Sequence, residues 1–236
     1  MGFSIIGHPF YLISPTLISL TTLAFLSCSS VVRTSTASDY TNLVYQGCAK
    51  QTFLDSSSVH SQTLSTLFDS LVSQSSKSNF FKTSSSGDQA SISALFQCRR
   101  DLSFGDCNCV SKLPNMLNSL CENTISGRIQ LSGCYIPYEQ NGSPQVSNFD
   151  LLHKTCSATQ AEGSGYEERR DAAFAALKKG MVSGYGFYTT IYESVYVLGQ
   201  CEGDLSIGDC GECVKSAVQI AQMECRSSSS GQIYLH

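Results

Sequence analysis

Two cysteine clusters have the strongest claim to chemistry in this chain. Cys210-Gly211-Glu212-Cys213 has the CxxC spacing of a redox dithiol or of half a zinc site, and Cys107-Asn108-Cys109 is a shorter counterpart. Zinc would need further ligands, but the only histidines are His8, His60, His153 and His236, none at ligand spacing. The chain has twelve cysteines, and both clusters instead sit within an ordered array of eleven of them, the pattern of a disulfide framework in an oxidising compartment. No Ser/His/Asp constellation, paired carboxylates or glycine-rich phosphate loop accompanies them. The residues therefore read as a non-enzymatic chain with no metal and no cofactor, its cysteines serving structure.

The array occurs twice. Its first pass is Cys48, Cys98, Cys107, Cys109, Cys121 and Cys134; its second is Cys156, Cys201, Cys210, Cys213 and Cys225. The step from Cys98 to Cys107 equals that from Cys201 to Cys210, and Cys109 to Cys121 equals Cys213 to Cys225. An internal duplication accounts for this and makes two domains the better division of 236 residues. A sixth cysteine of the second copy would fall two positions beyond His236, so the second unit is expected to be incomplete at its C-terminus. Cys213 is then left without a partner, and the last strand, Ile233 to Leu235, is expected to fray for want of a hairpin neighbour.

The N-terminus agrees with an oxidising compartment. Phe10 to Leu26 is an apolar stretch broken by hydroxyl residues, followed by small residues, as in a signal peptide spanning residues 1–35 and cleaved between Ser30 and Ser38. No Lys or Arg precedes Arg33, which departs from the usual leader; a retained anchor and a buried helix are the other readings. Cys28 lies in this segment and is excluded from pairing. No second apolar run is long enough to span a membrane. A formal charge of −4 supplies no basic field for nucleic acid, and only 14% of residues are charged.

The elements that must hold these cysteines repeat as well. The first unit, residues 40–139, carries an amphipathic helix marked by Leu64, Leu67, Phe68, Leu71 and Val72. A turn at Ser84–Asp88 and a strand at Ala94–Phe96 lead into Cys98, and a second helix after Cys109 presents Val110, Leu113, Met116, Leu117 and Leu120. Arg128–Leu131 and Tyr135–Tyr138 alternate like a hairpin, with Pro137 placing its strand at a sheet edge. Residues 140–149 read as a linker, and residues 150–236 form the second unit. There, Glu167–Met181 is a helix with acidic residues first, Lys178-Lys179 last and Gly180 near its stop. Strands at Tyr185–Tyr192 and Ser194–Leu198 and a helix at Val214–Met223 follow, with Asp106 and Asp209 as helix caps. The fold class is α+β: two tandem disulfide-stapled domains, each an antiparallel sheet with two helices packed on one face.

Cys201-(8)-Cys210-(2)-Cys213, in CEGDLSIGDCGEC, resembles the signature of the plant ginkbilobin-type cysteine-rich extracellular domain. The tandem arrangement, together with SGRIQLSGCYIPYE and GQIYLH, is similar to the plasmodesmata-located protein family, part of the cysteine-rich repeat secretory proteins. That resemblance implies the pairs Cys48–Cys121, Cys98–Cys107, Cys109–Cys134, Cys156–Cys225 and Cys201–Cys210, where six cysteines alone would allow 15 pairings per unit. Cys107-Asn108-Cys109 is one residue shorter than the family pattern. The implied function is regulation of cell-to-cell trafficking through plasmodesmata, including callose-linked closure and viral movement. The implied protein is wall-facing, entering the secretory pathway and reaching the plasma membrane at plasmodesmata, with a membrane anchor in the full-length form.

Two alternatives accompany this reading: a soluble mannose- or glycan-binding antifungal protein, and the ectodomain of a cysteine-rich receptor-like kinase. The single-domain antifungal relative resembles a lectin using an Asn, an Arg and a Glu. Carried over by position, unit one keeps Arg128 and Glu139 but has Ala49 for the Asn, while unit two has Ser157 and Gln232. A cross-strand ion pair between Arg128 and Glu139 is the plainer reading. Asn141-Gly142-Ser143 is a candidate N-glycosylation sequon, followed directly by Pro144. Expected partners are wall polysaccharide, other cell-surface proteins or viral movement proteins, and a homo- or hetero-oligomer, with no nucleic acid.

Overall fold

The apolar stripe Leu64, Leu67, Phe68 and Leu71 runs along one side of α1 (Ser58–Ser75) and is buried throughout, as its helical spacing requires. The computed structural model describes residues 2–7, 40–53, 58–85, 91–141 and 149–236. Within them the chain forms two five-stranded antiparallel sheets, each covered on one face by helices.

A short strand, β1 (Gly2–Gly7), comes first in sequence but belongs to the second sheet. The first unit then runs β2 (Leu43–Cys48), α1, β3 (Phe80–Ser84) and β4 (Ile92–Cys98). A 3-10 segment, Asp106–Lys112, continues into α2 (Leu113–Leu120), followed by β5 (Ser126–Leu131) and β6 (Cys134–Gln140). The strand order is β2-β5-β6-β4-β3. Alternation decides the faces: Ile129 and Leu131, Ile136 and Tyr138, and Ile92, Ala94 and Phe96 turn toward α1 and α2. Leu120, expected on the apolar side of α2, is instead exposed because that helix ends there.

The second unit repeats the plan with β7 (Leu151–Cys156), α3 (Tyr166–Ser183), β8 (Phe187–Tyr192) and β9 (Val195–Gln200). After them come α4 (Ile207–Ile220), a π-helical turn at Ala221–Cys225, and β10 (Ser230–Leu235). Its strand order is β7-β10-β1-β9-β8. Phe174, Leu177 and Met181 of α3 and Val214 and Val218 of α4 pack on Val195, Val197 and Ile233.

Four further sequence expectations are corrected. Pro137 lies in β6, the central strand of its sheet, not at an edge. The β4–β6 ladder is interrupted between the pairs Ala94↔Tyr138 and Gln97↔Tyr135, opposite the missing proline N–H, while Pro137 remains paired with Arg128 on the other side. In α3 the helix continues past Lys178, Lys179 and Gly180 to Ser183. Gly180 is a contact position rather than a stop, because a Cβ there would lie 2.2 Å from the Tyr188 ring. The helix starts at Asp106 and Asp209 are organised by Ser103 and Ser206: each hydroxyl accepts the aspartate backbone N–H and donates to its carboxylate. Finally, β10 does not fray. Ile233 and Leu235 are buried, and β10 is flanked by β7 and β1. Residues 2–7, read from sequence as leader, supply that flanking strand; the apolar stretch Phe10–Leu26, the cleavage region, the 86–90 part of the turn and most of the linker lie outside the described residues.

A candidate binding cleft between the two units

Strand alternation that sends one set of residues to the helices sends the other set to the opposite face, and here those helix-free faces meet. Tyr45 of β2 stacks on His153 of β7 with ring centroids 5.3 Å apart and tilts against Tyr234 of β10 at 5.2 Å. At the centre two glutamines exchange contacts. Gln97 donates to the Cys201 carbonyl (2.8 Å) and accepts from the Gly203 N–H (3.0 Å). Gln200 donates to the Cys98 carbonyl (2.9 Å) and accepts from the Arg100 N–H (3.1 Å). Both glutamines are 8% exposed. Each unit's glutamine thus satisfies backbone groups at or just past the end of the equivalent strand of the other. Arg100 also donates to the Tyr185 carbonyl (2.9 Å), and the Phe80 ring packs so closely on Gly203 that a Cβ there would lie 2.5 Å away.

Beside this lock opens a cleft of about 350 Å³ lined by Lys82, Arg128, Tyr135, Phe149, Glu202, Asp204 and His236, a volume within the range of small-molecule sites. Glu139 lines the adjoining space with Arg128, Lys82 and Glu202. Arg128, Tyr135 and Glu139 reach it because their strand neighbours Ile129, Ile136 and Tyr138 point to the core. Lys82 pairs with Asp204 at 2.7 Å, and the Tyr135 hydroxyl donates to Glu202 Oε2 at 3.2 Å. Burial pushes the Glu202 carboxyl above its ordinary range. Burial also drives the Tyr135 phenol well up, with the Glu202 charge adding to it, and carries Tyr45 to about 12 against the opposing pull of Arg128. His236 is held below its usual value by burial and by Arg128.

Arg128 and Glu139 therefore share one cleft, and no ion pair joins them among the described residues. Ala49 does not line the cleft; it closes β2 by donating its N–H to Ser126 (2.9 Å). Asn141 is exposed just past β6, its side-chain amide donating to Ser91 Oγ and its oxygen accepting from Ser93 (3.1 Å). Disulfides join Cys48 to Cys121, Cys98 to Cys107, Cys109 to Cys134, Cys156 to Cys225 and Cys201 to Cys210. Cys213 is unpaired and buried, and burial lifts its thiol to about 11. Among the described residues no group of His, Cys, Asp and Glu is placed to hold a metal ion. None of their helices is long and apolar enough to cross a membrane.

Sequence reasoning passed over Gln97, Gln200, Tyr135, Glu202 and Lys82. A signal for the glutamines was present: each immediately precedes an equivalent cysteine, Cys98 or Cys201, at a polar position within an otherwise apolar strand. No comparable pattern marks Glu202, whose role depends on the packing of one unit against the other.

Two disulfide-stapled α+β units joined through their helix-free sheet faces define a tandem cysteine-rich repeat protein. The family model described as salt stress response/antifungal matches residues 47–141 and 154–236. The chain is 53% identical over 221 residues to plasmodesmata-located protein 2 of Arabidopsis thaliana, covering 93% of this chain and 72% of that protein. It is 43% identical to plasmodesmata-located protein 1 of the same plant, spanning 59% of this chain and 51% of that one. The structure superposes on the crystal structure of the tandem DUF26 ectodomain of the Arabidopsis thaliana cysteine-rich receptor-like protein PDLP8. That match has a TM-score of 0.75 and 26% identity, over 84% of this chain and 94% of that one. The chain belongs to the plasmodesmata-located protein family.

Proposed function

We propose that this chain is a wall-facing recognition module that regulates cell-to-cell traffic through plasmodesmata. The carrying observation is the 53% identity to plasmodesmata-located protein 2 along 93% of the chain. A rigid surface suits such a role, and the reciprocal glutamine lock and five disulfides support one. In this reading the protein enters the secretory pathway, acts at the plasma membrane beside the wall, and engages wall polysaccharide, other surface proteins or viral movement proteins. Its presence promotes callose-linked closure. The test is a fluorescent fusion expressed in leaf epidermis with a diffusible reporter in single cells. Puncta at cell borders and reduced reporter spread are expected; a diffuse apoplastic signal with unchanged spread would overturn the reading.

A second reading, glycan binding, is favoured by one observation: Arg128 and Glu139 line the same space with Tyr135 and Lys82. Mannose and wall oligosaccharides are the ligands to titrate, and Arg128→Ala should abolish their binding. Absence of binding to every sugar would leave the first reading alone.

A further inference from the structure

Each sheet has two outer strands, and three of these four carry a feature that discourages further pairing. β3 holds Lys82 in an ion pair with Asp204, and β2 shifts register between Leu43 and Tyr45. β7 holds Lys154 in an ion pair with Glu224 and lies beside a register shift in β10. β8 has neither charge nor shift. Its sequence, FYTTIY, is uncharged and free of proline, and it pairs with β9 over six successive positions. Near its end Ile191 is 62% exposed and Tyr192 43%.

Antiparallel alternation decides which backbone groups of β8 face outward. The Gly186 carbonyl accepts from the Cys201 N–H, so Tyr188, Thr190 and Tyr192 bond to β9, while Thr189 and Ile191 turn their N–H and C=O groups away from it. The Phe187 N–H is taken up by the Gly184 carbonyl (3.2 Å). Thr189 and Ile191 therefore carry the outward donors, and among the described residues no strand pairs with that edge.

One antiparallel register matches these groups to a copy of themselves. With a two-fold axis at Thr190, Thr189 of each copy lies opposite Ile191 of the other and exchanges both backbone bonds with it. Thr190 then faces Thr190, and Tyr188 faces Tyr192. Aromatic and β-branched pairs of this kind are favourable across strands, and no like charges meet. The helices agree with this register. α3 lies over both β8 and β9, so its two copies would run antiparallel about two strand spacings, roughly 10 Å, apart, which is a helix-packing distance. Arg169, paired with Glu193 of the β8–β9 turn, and Gly180, against Tyr188, mark the β8 side of α3. The helical period puts Ala172 and Ala176 toward that side, small enough for close approach, with exposed Glu168 and Lys179 nearer the two ends. Glu168 of each copy then stands near Lys179 of the other, a complementary arrangement.

We propose that β8 is a homodimerisation edge, and that its occupant is β8 of a second copy of this chain, paired about Thr190 with the two α3 helices side by side. The contact is isologous, so it uses up both edges and closes at a dimer. No residue of β8 lines the cleft of Arg128 and Glu139, so the dimer carries two such clefts.

Sedimentation velocity of the full chain over a wide range of concentration should show a monomer–dimer equilibrium. Thr189→Pro removes an outward N–H and no bond to β9, so circular dichroism should remain native. Dimerisation should weaken roughly tenfold or more, because symmetry removes two bonds per dimer. Ile191→Lys should weaken it too, and Glu168→Lys should do so until Lys179→Glu is added. Thr190→Cys, at a close non-hydrogen-bonded pair, should give a covalent dimer joined at position 190 of both copies when treated with oxidised glutathione. Thr189→Cys, whose counterpart is Ile191, should not. Amide exchange at Thr189 and Ile191 should slow as concentration rises. A monomer at every concentration, dimerisation indifferent to Thr189→Pro, or equal crosslinking from positions 189 and 190 would each overturn the proposal. Protection of the two amides in dilute solution would overturn it as well, because a segment of the same chain would then be the occupant.

Discussion

Replacing Gln97 by alanine should loosen the two units together rather than weaken one of them. The substitution removes the bond to the Cys201 carbonyl (2.8 Å) and that from the Gly203 N–H (3.0 Å), and leaves both backbone groups without their partner at a buried junction. A buried neutral hydrogen bond contributes about 1 kcal/mol net, and an orphaned partner adds desolvation cost, so the expected loss is about 2–4 kcal/mol. For a chain of this size that corresponds to a fall in melting temperature of roughly 5–15 °C. Gln97→Glu should be worse, because a carboxylate oxygen would meet the Cys201 carbonyl oxygen. Gln200→Ala should cost a similar amount through Cys98 and Arg100. The double variant should lose less than the sum, because an interface opened by one change has little left for the other to break. Urea unfolding followed by far-ultraviolet circular dichroism measures each loss. A Gln97→Ala loss below about 0.5 kcal/mol, the scatter of neutral surface changes, would refute the reasoning, and strictly additive losses would refute the shared lock.

Leu177→Ala, at a fully buried position of α3, should cost about 2–5 kcal/mol in the same denaturation experiment. Replacing Cys48 and Cys121 together by serine opens a crosslink across 73 positions and should destabilise the chain by about 4 kcal/mol on the chain-entropy account, compared by thermal melting. Glu202 is raised above its ordinary 4.5 by burial, so the fold disfavours its charged form. Stability should therefore increase as pH falls through the raised folded value toward 4.5, and Glu202→Gln should flatten that part of a stability–pH profile. Spectrophotometric titration of the folded chain should find tyrosines, Tyr45 and Tyr135 among them, that ionise only well above pH 10, and Tyr45→Phe should remove the component near 12.

Local periodicity carried most of the secondary structure. Leu64 to Leu71 and Val110 to Leu117 identify their helices because one face of each is buried against a sheet, and that burial is written at a spacing the sequence displays. The same spacing is ambiguous at helix ends: Gly180 looks like a stop until the Tyr188 ring is seen to need its bare Cα. Pro137 misleads for a related reason. The rule against proline in a central strand concerns one donor, and β6 tolerates its loss because the ladder to β4 is broken opposite it. Of the cleft, Arg128 and Glu139 were legible as residues, but their shared space was not, since it depends on which face each strand turns to the other unit.

The two glutamines express a property of the repeat. Duplication gives each unit the same backbone polar groups at the end of β4 or β9, so a single side chain placed before the equivalent cysteine satisfies them twice over across the pseudo-symmetric junction. Symmetry stops at β6 and β1: the central strand of the first sheet follows β5 and is held by the Cys109–Cys134 disulfide, whereas β1 stands at the centre of the second. The cleft inherits this asymmetry. Arg128, Tyr135 and Glu139 stand on β5 and β6, which are covalently secured, whereas His236 follows β10, the strand that pairs with β1. One wall of the cleft is therefore fixed by the first unit's own disulfides, and the other rests on β10 and its pairing with β7 and β1.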